Sequence, residues 1–62
     1  MNTTPYQYVL KQRIEKSKSL LHQRQYAIAD IAQMVSFADQ SRFTRHFRNY
    51  VGVTPRIFAK QE

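Results

Sequence analysis

The stretch FADQSRFTRHFRNYV, residues Phe37–Val51, decides how the rest of this sequence is read. With Asp39 as its N-cap, a helix here sets Phe43, Phe47, Tyr50 and Val51 at i, i+4, i+7 and i+8, one continuous apolar stripe. That stripe predicts a buried face. At about 100° per residue the opposite side gathers Ser41, Arg45, Arg48 and Asn49, with Arg42 and Thr44 at its edges. It is basic along its length and able to form hydrogen bonds. The Asp39 carboxylate is suited to accept from the free backbone N–H groups of Ser41 or Arg42. One side of the helix is thus built to be held and the other to meet something anionic.

Working back, Ile28, Ile31, Ala32 and Val35 fall at i, i+3, i+4 and i+7, the narrow stripe of a core-facing helix that begins near Ala27 and has room for three turns at most. Its start is weakly capped, because Ala27 carries no side-chain acceptor, although Asp30 in the first turn suits the positive end of the helix dipole. Ser36-Phe37-Ala38 joins the two helices, and the Phe37 ring is expected to fill the corner between them. Two helices joined by about three residues, the second basic on its outer side, describe a helix-turn-helix, a pattern that other helical hairpins share.

Further upstream, Thr4-Pro5 reads as a helix start after a short polar tail, Met1 to Thr3. The helix runs to about Gln23, with Tyr6, Leu10, Ile14, Ser17 and Leu21 on one face and Val9 and Leu20 beside it. Lys11, Arg13, Lys16 and Lys18 dominate its polar sides, either as solvated charge or, for one or two of them, as phosphate contacts. Gln23 to Tyr26 form a polar break. Downstream, Gly52, the sole glycine, fits the left-handed residue that ends a helix. Thr54-Pro55 then opens a short last helix, predicted to return Ile57 and Phe58 to the core. The pattern Thr4-Pro5-x-x-Tyr8 recurs as Thr54-Pro55-x-x-Phe58, which suggests that Met1 lies near the end of one unit and Glu62 at the end of the next.

Composition narrows the function. Sixty-two residues make one domain at most, one that buries only about 60% of its unfolded surface. That leaves no room for an enclosed catalytic cleft. Asp30 and Asp39 have structural roles, no serine has a base at a suggestive spacing, and there is no glycine-rich phosphate loop, so no enzyme is expected. Without cysteine there is neither a disulfide nor a zinc-thiolate site, which fits a reducing compartment. His22 and His46 lack the spacing and carboxylate company of a metal pair, so neither metal nor cofactor is expected. Ten Lys and Arg against four acids give a net charge of +6, with a pI near 10.2. Such a balance points to a polyanionic partner, nucleic acid first, with plain solubility as the bland alternative. Apolar runs fall far short of the roughly 18 residues that span a bilayer, so a soluble, cytoplasmic protein without a membrane partner is expected.

The residues Ile28-Ala29-Asp30-Ile31-Ala32, then Phe37-x-Asp39-Gln40-Ser41-x-Phe43-x-Arg45-x-Phe47-Arg48, then Gly52-Val53-Thr54-Pro55 resemble the DNA-binding region of AraC/XylS-type bacterial transcription regulators. Upstream, Arg13-Ile14 and Ser17-x-x-Leu20-Leu21 are similar to the family's linker helix, so the resemblance covers nearly the whole chain. It implies an all-α fold: a homeodomain-like three-helix core containing the helix-turn-helix (27–51), with a long N-terminal linker helix (5–23) and a short C-terminal helix (54–61). That region of the family is about twice as long and holds two helix-turn-helix units. This sequence corresponds to the connecting helix and the second unit, as an excised fragment or a short reading frame.

The resemblance further implies sequence-specific binding to double-stranded DNA, with the helix from about Gln40 to Tyr50 in the major groove. Gln40, Ser41, Thr44 and Arg45 match the base-contacting positions, while Arg42, Arg48, Asn49 and Lys16 are better placed for phosphates. The wheel agrees for Ser41, Thr44 and Arg45; Gln40 projects nearer the core side but can reach out from the helix start. His46 sits toward the core edge. Three residues depart from the family pattern. Ser36 replaces a glycine, which strains the turn if that position needs a positive φ. Ala27 replaces a serine cap, and Phe58 a tyrosine. A different reading is a protein-interaction module, for example one that docks on RNA polymerase and has lost autonomous DNA binding with the first unit. Operator, effector and oligomeric state leave no signal in the sequence.

Overall fold

Helices α1 (Pro5–Gln23), α2 (Ile28–Met34), α3 (Gln40–Val51) and α4 (Pro55–Gln61) follow one another in a computed structural model that describes residues 5–61. The polar tail at Met1 to Thr3, the Thr4 cap and the first copy of the Thr-Pro pattern lie at least partly outside those residues. Each joint turns through one residue in the left-handed region: Arg24 (φ 56°) after α1, Ser36 (φ 67°) after α2 and Gly52 (φ 100°) after α3. Around Gly52 a Cβ would meet nothing within 4 Å, so backbone strain, and not space, is what favours glycine there. Among the described residues there is no strand, and no helix is long and apolar enough to cross a membrane.

On α1, Leu10, Ile14, Leu20 and Leu21 are buried as the periodicity requires. Ser17 is fully buried with them, and its hydroxyl donates to the Ile14 carbonyl at 2.6 Å, so the dry interior holds no unsatisfied donor at this position. Two residues expected on this face are not covered. Tyr6 is 65% and Val9 40% exposed, and burial begins only at Leu10. The reason is length: α1 is roughly 28 Å long, whereas the seven-residue helices α2 and α4 reach only about 10 Å each.

Two turns suffice for α2. Ile31 and Ala32 are wholly buried, and Val35, which ends the helix, is nearly so. Ile28 is half-buried against the same cluster. At the other end of the chain, Thr54 Oγ1 accepts from the Ile57 N–H at 3.3 Å and Pro55 is buried in the first turn of α4. Pro55, Phe58 and Ala59, at i, i+3 and i+4, form the inward stripe, which leaves Ile57 45% exposed and not on the core as its apolarity suggested.

A chain of rings fills the centre. Phe37 meets Phe43 at 5.5 Å between centroids, Phe43 meets Phe47 at 5.7 Å, and Phe47 meets Phe58 at 5.5 Å. The His22 ring extends the series, edge-on to Phe58 at 5.7 Å. Phe43 and Phe47 are both completely buried. Truncating either to alanine would remove about 3–5 kcal/mol, a large part of the stability of so small a fold. Phe37 sits in the α2–α3 corner as expected, with the Arg13 guanidinium 5.9 Å from its ring centre.

Candidate nucleic-acid interface

Asp39 starts α3. Its backbone is extended (φ −156°, ψ 172°), and Oδ1 accepts from the Arg42 N–H at 2.8 Å, satisfying one of the free donors of the first turn. The other end closes at Gly52, whose N–H bonds the Arg48 carbonyl at 2.8 Å. Between these stops the helix is fixed in rotation by its two buried phenylalanines. Tyr50, expected on the same buried stripe, is instead 44% exposed, although its neighbour Val51 packs against the core. Val51 is half-buried.

The rotation set by Phe43 and Phe47 turns Gln40, Ser41, Arg42, Arg45, Arg48 and Asn49 outward, all of them exposed. Thr44 is half-buried at the edge. One open depression is lined by Ser41, Thr44, Arg45, Arg48, Asn49 and Thr54, and a second by Ser41, Arg42 and Arg45. A third brings Gln40 and Thr44 together with Ile28, Thr54, Pro55 and Arg56. These hollows share residues and form a continuous surface. Lys16, exposed on α1, lines none of the three, so the structure brings together seven of the eight expected contact residues and leaves that one apart.

The surface is polar and cationic throughout its α3 portion, and among the described residues no acidic side chain lines any of the three hollows. Among the described residues the single ion pair joins Lys18 to Glu15 at 3.4 Å, on α1. Among the described residues, Arg42, Arg45 and Arg48 therefore carry their charges without a carboxylate partner. An uncompensated guanidinium row on a rigid helix can offer bidentate donors to phosphate or to a base edge.

His46 lies between this surface and the core. It is half-buried, as the wheel suggested, and its ring stacks on Phe37 at 5.5 Å with an interplanar angle of 28°. Thr54 and Arg56, at the rim of the surface, are the residues that sequence reasoning left out. In the sequence Thr54 reads only as the start of a helix, and its nearness to Thr44 is a product of the α3–α4 joint that no local pattern encodes.

A family model described as a helix-turn-helix domain matches residues 1–61. Among curated proteins, the chain is 40% identical over 55 residues to the probable transcriptional regulator LumQ of Photobacterium leiognathi, covering 89% of this chain and 22% of that protein. It is 35% identical over 60 residues to the Msm operon regulatory protein of Streptococcus mutans, covering 97% of this chain and 22% of the other. Against the melibiose operon regulatory protein of Escherichia coli K12 it is 37% identical over 60 residues, with 97% and 20% covered. The chain thus spans about a fifth of the length of these relatives. No solved structure matches it significantly. With the four-helix architecture and the family match over almost its full length, the chain belongs to the AraC-type helix-turn-helix family of DNA-binding transcription regulators.

Proposed function

We propose that this chain binds double-stranded DNA with sequence preference by laying α3 in the major groove, as one helix-turn-helix half of a transcription regulator. The observation that carries this is the division of α3 into two sides: Phe43 and Phe47 wholly buried, and Ser41, Arg45, Arg48 and Asn49 exposed with no carboxylate among them. With its side chains an α-helix is about 10–12 Å across, a cross-section that suits a major groove about 12 Å wide. In this reading Arg45 donates to guanine O6 and N7, and Gln40 pairs with adenine N6 and N7, each giving about 1–3 kcal/mol of discrimination. Ser41 and Thr44 face a base or a phosphate. Arg42, Arg48, Asn49 and Lys16 hold the backbone and set the register.

Charge supplies most of the affinity and base edges the choice. If about four to six phosphates are neutralised, log K falls against log salt with a slope of roughly −4 to −5. A single unit is expected to bind weakly, near the non-specific range of about 10⁻⁴ to 10⁻⁶ M. Fluorescence anisotropy with a labelled duplex across a salt series tests this. A steep negative slope is the expected result, and a slope near zero would refute it.

A further inference from the structure

The cations of α4 and of the α1–α2 joint have no part in the reading above. Arg24, Tyr26, Arg56 and Lys60 line a hollow on that side of the fold, over a floor that includes the half-buried Ile28 and Ala59. Arg56 and Ile28 also line the neighbouring hollow, the one that holds Gln40 and Thr44. Among the described residues, no acidic side chain lines either. The α3 arginines are therefore linked, through a neutral stretch that includes Gln40, Thr44 and Thr54, to a second group of cations at Arg56, Lys60 and Arg24.

We infer that this group forms a second phosphate-binding surface, which takes the sugar–phosphate backbone flanking the duplex segment on α3. It rests on the assignment of α3 as the DNA-facing helix. Three features match a phosphodiester strand. Guanidinium and ammonium groups pair with its charged oxygens. The Tyr26 hydroxyl can donate to the same oxygens. The apolar floor accepts deoxyribose carbons, which a free inorganic anion does not offer. Arg24 is already oriented for the purpose, since one of its terminal nitrogens donates to the Ala59 carbonyl at 3.0 Å and its other N–H groups remain for a ligand. Continuity with the α3 surface favours the strand that α3 itself would bind over an unrelated acidic partner.

The test uses Arg56→Gln and Lys60→Gln, singly and together, with Lys11→Gln as a control. All three side chains are exposed, and Lys11 lines neither hollow. Anisotropy titrations of two labelled duplexes of different sequence are run between about 50 and 200 mM salt, with circular dichroism to check the fold. Each phosphate contact adds about 0.9 to the slope, so each single variant should reduce the loss of affinity across that salt range by about 3.5-fold and the double variant by about 12-fold. The preference between the two duplexes should not change, and Lys11→Gln should leave the slope as it was. A double variant that keeps the full slope overturns the second surface while the α3 assignment stands. A changed preference makes Arg56 a base contact and also overturns it. If the unaltered chain shows no salt-dependent duplex binding, both fail.

Discussion

The Arg24 guanidinium donates to the carbonyl oxygen of Ala59 at 3.0 Å, across 35 residues of chain. The α1–α2 joint is thereby tied to the last turn of α4, whose carbonyls have no partner within the helix. Arg24 does this from the left-handed region, with its own N–H returning to the Leu21 carbonyl at 3.2 Å. Its side chain and its backbone thus make opposed demands on the residue type. Arg24→Ala loses the hydrogen bond and keeps the strain; Arg24→Gly loses the bond but relieves about 1 kcal/mol of strain. The glycine variant should therefore unfold at the higher urea concentration of the two. Equal midpoints would show that the left-handed geometry is not maintained in solution.

Ser36 offers a gain without a compensating loss. It is exposed at φ 67°, its N–H bonds the Gln33 carbonyl at 3.0 Å, and no side-chain hydrogen bond engages it among the described residues. Ser36→Gly should raise stability by about 0.5–1 kcal/mol, because the backbone already occupies a conformation that glycine reaches freely. A urea midpoint that falls on this substitution would contradict the account.

Ala27 presents the complementary case at a helix start. Its backbone has cap geometry (φ −70°, ψ 153°), yet no side-chain oxygen reaches the first turn of α2. Ala27→Ser should stabilise the fold by about 1 kcal/mol, and Asp39→Ala, which removes the 2.8 Å bond to Arg42, should cost a similar amount. Paired urea melts that move in opposite directions would support both assignments. If Ala27→Ser leaves the midpoint unchanged, the start of α2 is already satisfied by solvent.

Arg45 and Lys16 separate choice from grip. Under the proposed function Arg45→Ala should lower binding to the preferred duplex by about 1–3 kcal/mol more than binding to a random one. Lys16→Ala should weaken both duplexes alike. Competition titrations with the two duplexes distinguish these patterns. Equal losses from both substitutions would make Arg45 a phosphate contact.

Most of the fold was legible because periodicity and punctuation agreed. Phe43, Phe47, Ile31, Ala32, Leu10, Ile14, Leu20 and Leu21 are buried where their spacing put them, and Asp39, Gly52 and Thr54 stop or start helices as their chemistry demands. The misses do not share one cause. Tyr6 and Val9 lie on the inward side of α1 but beyond the reach of the shorter helices, whereas Ile57, expected on the core for its apolarity, falls off the inward stripe of Pro55, Phe58 and Ala59; Tyr50 is exposed as well. The outward side of α3 was legible for the same reason as its core side, since fixing one fixes the other. Thr54, Arg56 and the Arg24–Ala59 link were not, because they arise where distant segments meet.

The three corners of this chain, at Arg24, Ser36 and Gly52, have a consequence for how its exterior can change. The bearing of α3 is settled by backbone dihedrals and by rings that point inward, while Ser41, Arg45, Arg48 and Asn49 make no side-chain hydrogen bond to the rest of the protein among the described residues. Aim and message are therefore separable: what the helix displays can be rewritten letter by letter without loosening the frame that holds it out.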